Sequence, residues 1–169
     1  MLSDLQLYEM FMSRWFEIAD GMMVLRPVYE IWLQKIWQEY GTLLSTYETL
    51  DELYPLSELV WRNTMDSIPL DAHTTGRKWA ESSTGKNLRW ETVGLIFSGV
   101  GLLAGGLSDW DIIFTTTKDR IKDRPTLVRK MRDGIEDCIG FSRDCECTNE
   151  LFACLLVSDR RIASVVLAP

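Results

Sequence analysis

At 169 residues the chain is long enough for one domain with a real core. Hydrophobic residues make up 46% and charged residues 25%, a globular mix that excludes disorder over most of the length. The net charge of −7 lies wholly in residues 1–70, where eleven acids face four bases, while residues 71–169 carry fourteen of each; phosphate backbones repel such a chain, so it is a poor nucleic-acid binder by itself.

The N-terminus, MLSDLQLYEMFMSRW, has an early acid and no basic stretch before an apolar one. It does not read as a secretory signal, and an intracellular location with reduced thiols is the expectation. Leu5, Tyr8, Met12, Trp15 and Phe16 recur at helical spacing, which predicts a helix over 5–18. Gly21 interrupts. Arg26-Pro27 opens a second helix with Pro27 at its first position, an apolar face of Val28, Ile31, Trp32, Ile36 and Tyr40, and Gly41 as its stop. Residues 42–54 read as a loop with a short helical turn. A third helix follows Pro55, with Leu56, Leu59, Val60 and Met65 on one side. The polar stretch from Pro69 to Gly85, rich in Gly, Ser and Thr, reads as a connecting loop near 69–86.

From Asn87 the pattern changes. Asn87 is a credible N-cap, Glu91 suits the first turn of a helix, and residues 88–107 are long and apolar with no charge after Glu91. A turn follows at Ser108 to Asp111. Pro125 lies near the start of a helix whose stripe is Leu127, Val128, Met131, Ile135, Cys138 and Ile139. Thr148 is the expected cap of a last helix carrying Leu151, Phe152, Leu155 and Leu156. No stretch alternates with period two and no repeat appears. The expected fold is all-α: one domain over 1–169, an irregular multi-helix array around a central buried Gly-rich helix. Seven Trp residues imply a large buried aromatic fraction.

Within the apolar helix, Gly99 to Ala104 (GVGLLA) fits the dinucleotide fingerprint G-x-G-x-x-A. That motif needs a strand before it and several helical turns after it, and few residues remain before Ser108. A membrane span fares no better, because the uncharged run Thr92 to Ser108 is 17 residues with polar ends. Gly94, Ser98, Gly101 and Gly105 step by 4, 3 and 4, so they form one stripe of small residues. Each glycine costs about 1 kcal/mol of helix propensity, so close approach of a neighbouring helix is expected there as compensation.

Three further features carry less. Cys138-x6-Cys145-x-Cys147-x6-Cys154 does not match the pair spacing of structural zinc, and seven residues would set each outer pair on one helix face. Buried reduced thiols are the expectation. His73 with Asp71 has the form of a base and its orienter, but no nucleophile accompanies them. Lys118, Arg120, Lys122, Arg124, Arg129, Lys130 and Arg132 outnumber Asp119 and Asp123. Without interleaved aromatic residues they read as a solvated face, balanced by Asp133, Glu136 and Asp137, rather than a phosphate platform.

The segment STGKNLRWETVGLIFSGVGLLA, residues 83–104, resembles the fungal-specific transcription factor domain, the middle homology region of zinc binuclear cluster regulators. The residues carrying the likeness are Gly85, Asn87, Leu88, Arg89, Trp90, Glu91 and Gly94. Gly21 to Gly41 and residues 129–156 are similar to its flanking regions. The resemblance implies an all-helical regulatory domain without catalytic residues, lying between a DNA-binding zinc cluster and an activation region in a nuclear protein. It implies those seven residues as scaffold, with Trp90 a core anchor and Arg89 and Glu91 facing other partners around the helix start; cap, core and solvated charge describe them equally well. The partners it implies are a second copy or other transcription-factor subunits and a small-molecule inducer, with DNA reached only through a zinc cluster this chain lacks. No cofactor and no membrane is implied. Such a domain would continue past residue 169, so a fragment, a truncated paralogue or a mispredicted gene is the expectation. The alternative reading is a helical small-molecule-binding or dimerisation protein from a metabolic gene cluster.

Overall fold

The computed structural model describes residues 4–18, 24–69, 71–117, 121 and 123–166. Among the described residues there are eight α-helices, two short 3-10 turns and no strand. The helices are α1 (Leu5–Ile18), α2 (Arg26–Thr46), α3 (Tyr54–Met65), α4 (Gly76–Glu81), α5 (Trp90–Gly106), α6 (Ile112–Thr116), α7 (Arg124–Asp144) and α8 (Glu150–Val166). The fold is therefore the all-α, multi-helix array expected from the pattern.

α5 is the axis of the array. Every residue from Glu91 to Gly101 is buried, as are Leu103 and Ala104. A helix apolar all round finds a stable place only where neighbours cover every face. α7 and α8 cover the face that carries the small residues. A methyl group on Gly94 would lie 2.8 Å from Leu155 Cδ1 and 3.0 Å from Cys138 Cβ, and one on Gly101 3.1 Å from both Met131 Cβ and Ile162 Cδ1. α1 covers another face through Tyr8, whose ring meets Phe97 edge-on at 5.6 Å. From α2, the Tyr29 hydroxyl donates to the Leu95 carbonyl at 3.1 Å. At Gly94 and Gly101 the small-residue stripe is thus filled by this chain's own helices.

The amphipathic pattern of α7 holds residue by residue: Leu127, Val128, Met131, Ile135, Cys138 and Ile139 are all buried. Its start is fixed by Asp123, whose side chain accepts from the Thr126 N–H at 2.7 Å, and by Pro125 in the first turn. α8 buries Leu151, Leu155, Ser158 and Ile162, spaced to lie on one face.

Several boundaries differ from those read in the sequence. Gly41 does not stop α2, which runs on to Thr46; the glycine instead leaves room for the Trp37 ring, 2.6 Å from where its Cβ would be. Residues 50–53 are a 3-10 turn with a capping box between Thr49 and Glu52. Met65 is exposed on α3, and Thr64 takes the buried position beside Leu56 and Val60. The polar stretch 69–86 is not a bare loop. Thr75 caps the six-residue α4, and Ser83, Thr84 and Gly85 are buried against α2. Asn87 caps nothing; it ends a 3-10 turn, α5 starts at Trp90, and Glu91 does fall in its first turn. α8 is capped by Asn149, not Thr148, because the Asn149 side chain accepts from the Phe152 N–H at 3.0 Å. α6 was not legible in the sequence at all.

The fingerprint glycines lie in the middle of α5, far from any strand-to-helix turn, so they hold no dinucleotide. Among the described residues no helix is long and apolar enough to cross a membrane. The Trp expectation holds only in part: Trp32 is fully buried, five others are half-buried, and Trp110 is 86% exposed. Gly21, Lys118, Asp119, Arg120 and Lys122 lie outside the described residues, as do the side chains from Val165 onward. The rest of the basic stretch is largely paired: Arg124 with Asp109 at 2.8 Å, Lys130 with Asp4 at 2.6 Å and Arg132 with Glu136 at 3.0 Å.

Two glycines give opposite predictions. Gly94→Ala drives a methyl into Leu155 and Cys138, and over-packing is expected to cost about 1–3 kcal/mol net. Gly140 lies inside α7 with no atom within 4 Å of its would-be Cβ, so Gly140→Ala is expected to stabilise by about 0.5–1 kcal/mol. Urea unfolding followed by Trp fluorescence separates the two.

Candidate functional site

Arg89 and Glu91 form a buried ion pair, 3.1 Å apart, with side chains 4% and 0% exposed. Burying two charges is costly unless every polar atom is matched. Arg89 meets that condition with all five of its N–H donors. Nε and one NH2 hydrogen reach Glu91, the NH1 hydrogens reach the carbonyls of Asn63 and Asp66, and the remaining NH2 hydrogen reaches the Thr64 carbonyl at 2.8 Å. These carbonyls belong to the end of α3, where a helix leaves its last C=O groups unpaired and its dipole favours a cation. Arg89 therefore acts as a C-cap supplied from 25 residues further along the chain.

Glu91 is matched in turn by the α7–α8 turn. Cys147 donates its thiol to Glu91 Oε1 at 2.7 Å, and Asn149 Nδ2 donates to the same oxygen at 2.7 Å. The turn is placed by a helix-ending motif in which Cys147 N–H returns to the Ser142 carbonyl at 2.9 Å. The residue between the two turn cysteines, Glu146, takes a left-handed conformation at φ 53°. Two further bonds tighten the junction. Trp90 N–H donates to Thr64 Oγ1 at 3.0 Å, and Asn63 Nδ2 donates to the carbonyls of Lys86 and Leu88. The result is one polar knot joining the end of α3, the start of α5 and the turn before α8.

The seven residues of the resemblance take distinct places around it. Gly85 is buried at φ 58° and its carbonyl accepts the Tyr40 hydroxyl at 2.8 Å; a side chain there would be strained. Asn87 is exposed and donates to the Glu81 carbonyl at 3.3 Å. Leu88 is in the core. Trp90 is half-buried, its ring 4.9 Å from Phe141, so it closes the edge of the core rather than anchoring its centre. Gly94 admits Leu155. Arg89 and Glu91 are interior, which overturns their description as solvated charges.

Thr64, Asn63, Cys147 and Asn149 escaped sequence reasoning. Nothing near them in the chain announces a charged partner; the only signal was an arginine and a glutamate flanking the start of an otherwise apolar helix. The cysteines do not pair by helix face, because Cys145 and Cys147 lie in the turn. All four are free thiols, three of them buried. Burial, then the Glu91 carboxylate, pushes the Cys147 thiol up to about 11. Burial also raises Cys138, Cys145 and Cys154. None is tuned toward a thiolate at neutral pH. Among the described residues no group of three or more His, Cys, Asp or Glu side chains could hold a metal. The Asp71 carboxylate accepts from the His73 main-chain N–H at 2.8 Å, closing a local turn rather than orienting an imidazole.

Two polar clefts flank the knot, of about 320 and 250 Å³, and both reach Arg89. A guanidinium with no donor left over has nothing to offer an anion there, so the knot reads as scaffold. Comparison with known proteins adds no relative: no family model matches the chain, and no characterised protein or solved structure is significantly similar to it.

Breaking the knot from either side leaves a buried charge alone. Arg89→Ala and Glu91→Ala are each expected to destabilise by about 3–5 kcal/mol. The double variant should lose clearly less than the sum, the mark of direct coupling in a double-mutant cycle measured by urea unfolding.

Cys147 adds a pH signature. Its thiol titrates near 9 when unfolded and near 11 when folded, so the neutral form is favoured by folding. The resulting stability is complete below pH 9 and is lost as pH rises from 9 through 11. Cys147→Ser keeps a donor to Glu91 but cannot ionise there; its stability should fall less over that window than the parent's, read by unfolding at stepped pH.

Proposed function

We propose that this chain is the regulatory, inducer-response domain of a fungal zinc-cluster transcription factor, working in the nucleus. The observation that carries the reading is the place of the signature residues. The Gly-x-Asn-Leu-Arg-Trp-Glu run that resembles the family's motif supplies the knot joining three helices and the entry to the central helix. A run with such a role as scaffold suits a domain defined by shape, whose output is a contact or a conformational shift rather than a reaction.

Function in this reading depends on the fold, and the knot gives a handle on it. Inserted between a heterologous DNA-binding domain and an activation domain in a yeast reporter strain, the chain is expected to lower transcription several-fold. Arg89→Ala, which breaks the knot, should relieve that restraint at matched protein levels. A reporter indifferent to the insertion would speak for the alternative of a helical small-molecule-binding or dimerisation protein.

A further inference from the structure

A groove of about 310 Å³ lies between α1 and α2. Its floor is apolar. Met12 and Leu33 belong to the buried core, and Phe16 and Trp37 add aromatic faces. Three charges stand around it. Arg26 Nε and Glu30 Oε1 are 2.7 Å apart and neutralise each other. Glu9 has no cationic partner among the described residues; its Oε2 accepts the Trp37 indole N–H at 3.2 Å.

The charge left over in this groove is therefore one carboxylate beside an indole. That pairing suits a cation on an apolar body: the carboxylate attracts the charge, the aromatic faces favour it, and the floor covers the rest. An anion meets the same carboxylate and the acidic surplus of the first 70 residues. The groove already seats one cation in this manner, with the Arg26 guanidinium 5.4 Å above the Phe16 ring. Its size matches a small molecule rather than a protein segment.

We propose that the α1–α2 groove binds a small organic cation, an aryl- or alkylamine protonated at neutral pH, held between Glu9, Trp37 and the apolar floor. The site stands on this geometry alone and does not require the regulatory role.

The test titrates the full chain with 2-phenylethylamine and, as a matched anion, with 3-phenylpropionate. Binding is read from the NMR signal of the Trp37 indole N–H, assigned by its loss in Trp37→Phe. The expected result is a saturable shift with the amine and binding at least about tenfold weaker for the carboxylate. Glu9→Gln keeps an acceptor for the indole and removes the charge, so amine affinity should fall about tenfold there. No saturable shift with the amine, equal affinity for the two probes, or an unchanged affinity in Glu9→Gln each overturns the proposal.

Discussion

The buried pair Arg89–Glu91 is the constraint on which the rest of this structure depends. Two charges inside a protein are tolerated only when the surrounding groups are placed to match them. That requirement reaches outward in both directions. Arg89 demands three carbonyls, which fixes where α3 ends. Glu91 demands two donors, which fixes the turn between α7 and α8. Three segments far apart in sequence are thereby set in one register.

The central helix answers a second constraint that follows from the first. α5 begins at the knot and must run through the middle of the molecule, so its neighbours approach on every side. Glycine at 94 and 101 lets α7 and α8 lie close to its backbone, with Leu155, Cys138, Met131 and Ile162 filling the space a side chain would take. The loss in helix propensity is offset by the contacts so gained. Polar anchors reinforce the placement: Thr92 donates to the Ser83 carbonyl, and Trp32 donates to the Ala80 carbonyl and the Ser83 hydroxyl. The polar segment before the signature is held to α5 by the Thr92 bond and to α2 by the Trp32 bonds together with apolar contact, Ala80 in the core and Trp79 against the Trp32 ring.

This division separates two kinds of surface. The Arg89 donors are all used within the knot, so the pair has little left with which to bind. The groove between α1 and α2 is built on the other side of that balance, with a Glu9 carboxylate that has no cationic partner among the described residues.

How much was legible in the sequence follows from which interactions are local. The all-α class, the limits of α1, the buried stripe of α7 and the burial of the apolar run after Glu91 could be read directly, because helical periodicity and the hydrophobic effect act over a few turns. The small-residue stripe on α5 foretold close packing, though not which helices would provide it. Boundaries failed where a cap had two adjacent candidates, as with Thr148 and Asn149, or where a glycine served packing instead of termination, as at Gly41. The knot was out of reach. Arg89 and Glu91 carry no local mark of burial, and their partners at Thr64, Cys147 and Asn149 come together only when α3, α5 and the α7–α8 turn converge. The sequence alone determined the longer helices and which of their faces seek the interior. Only the tertiary structure decided that two charges would go inside, because their cost is met by carbonyls and donors that lie 23 to 58 residues away.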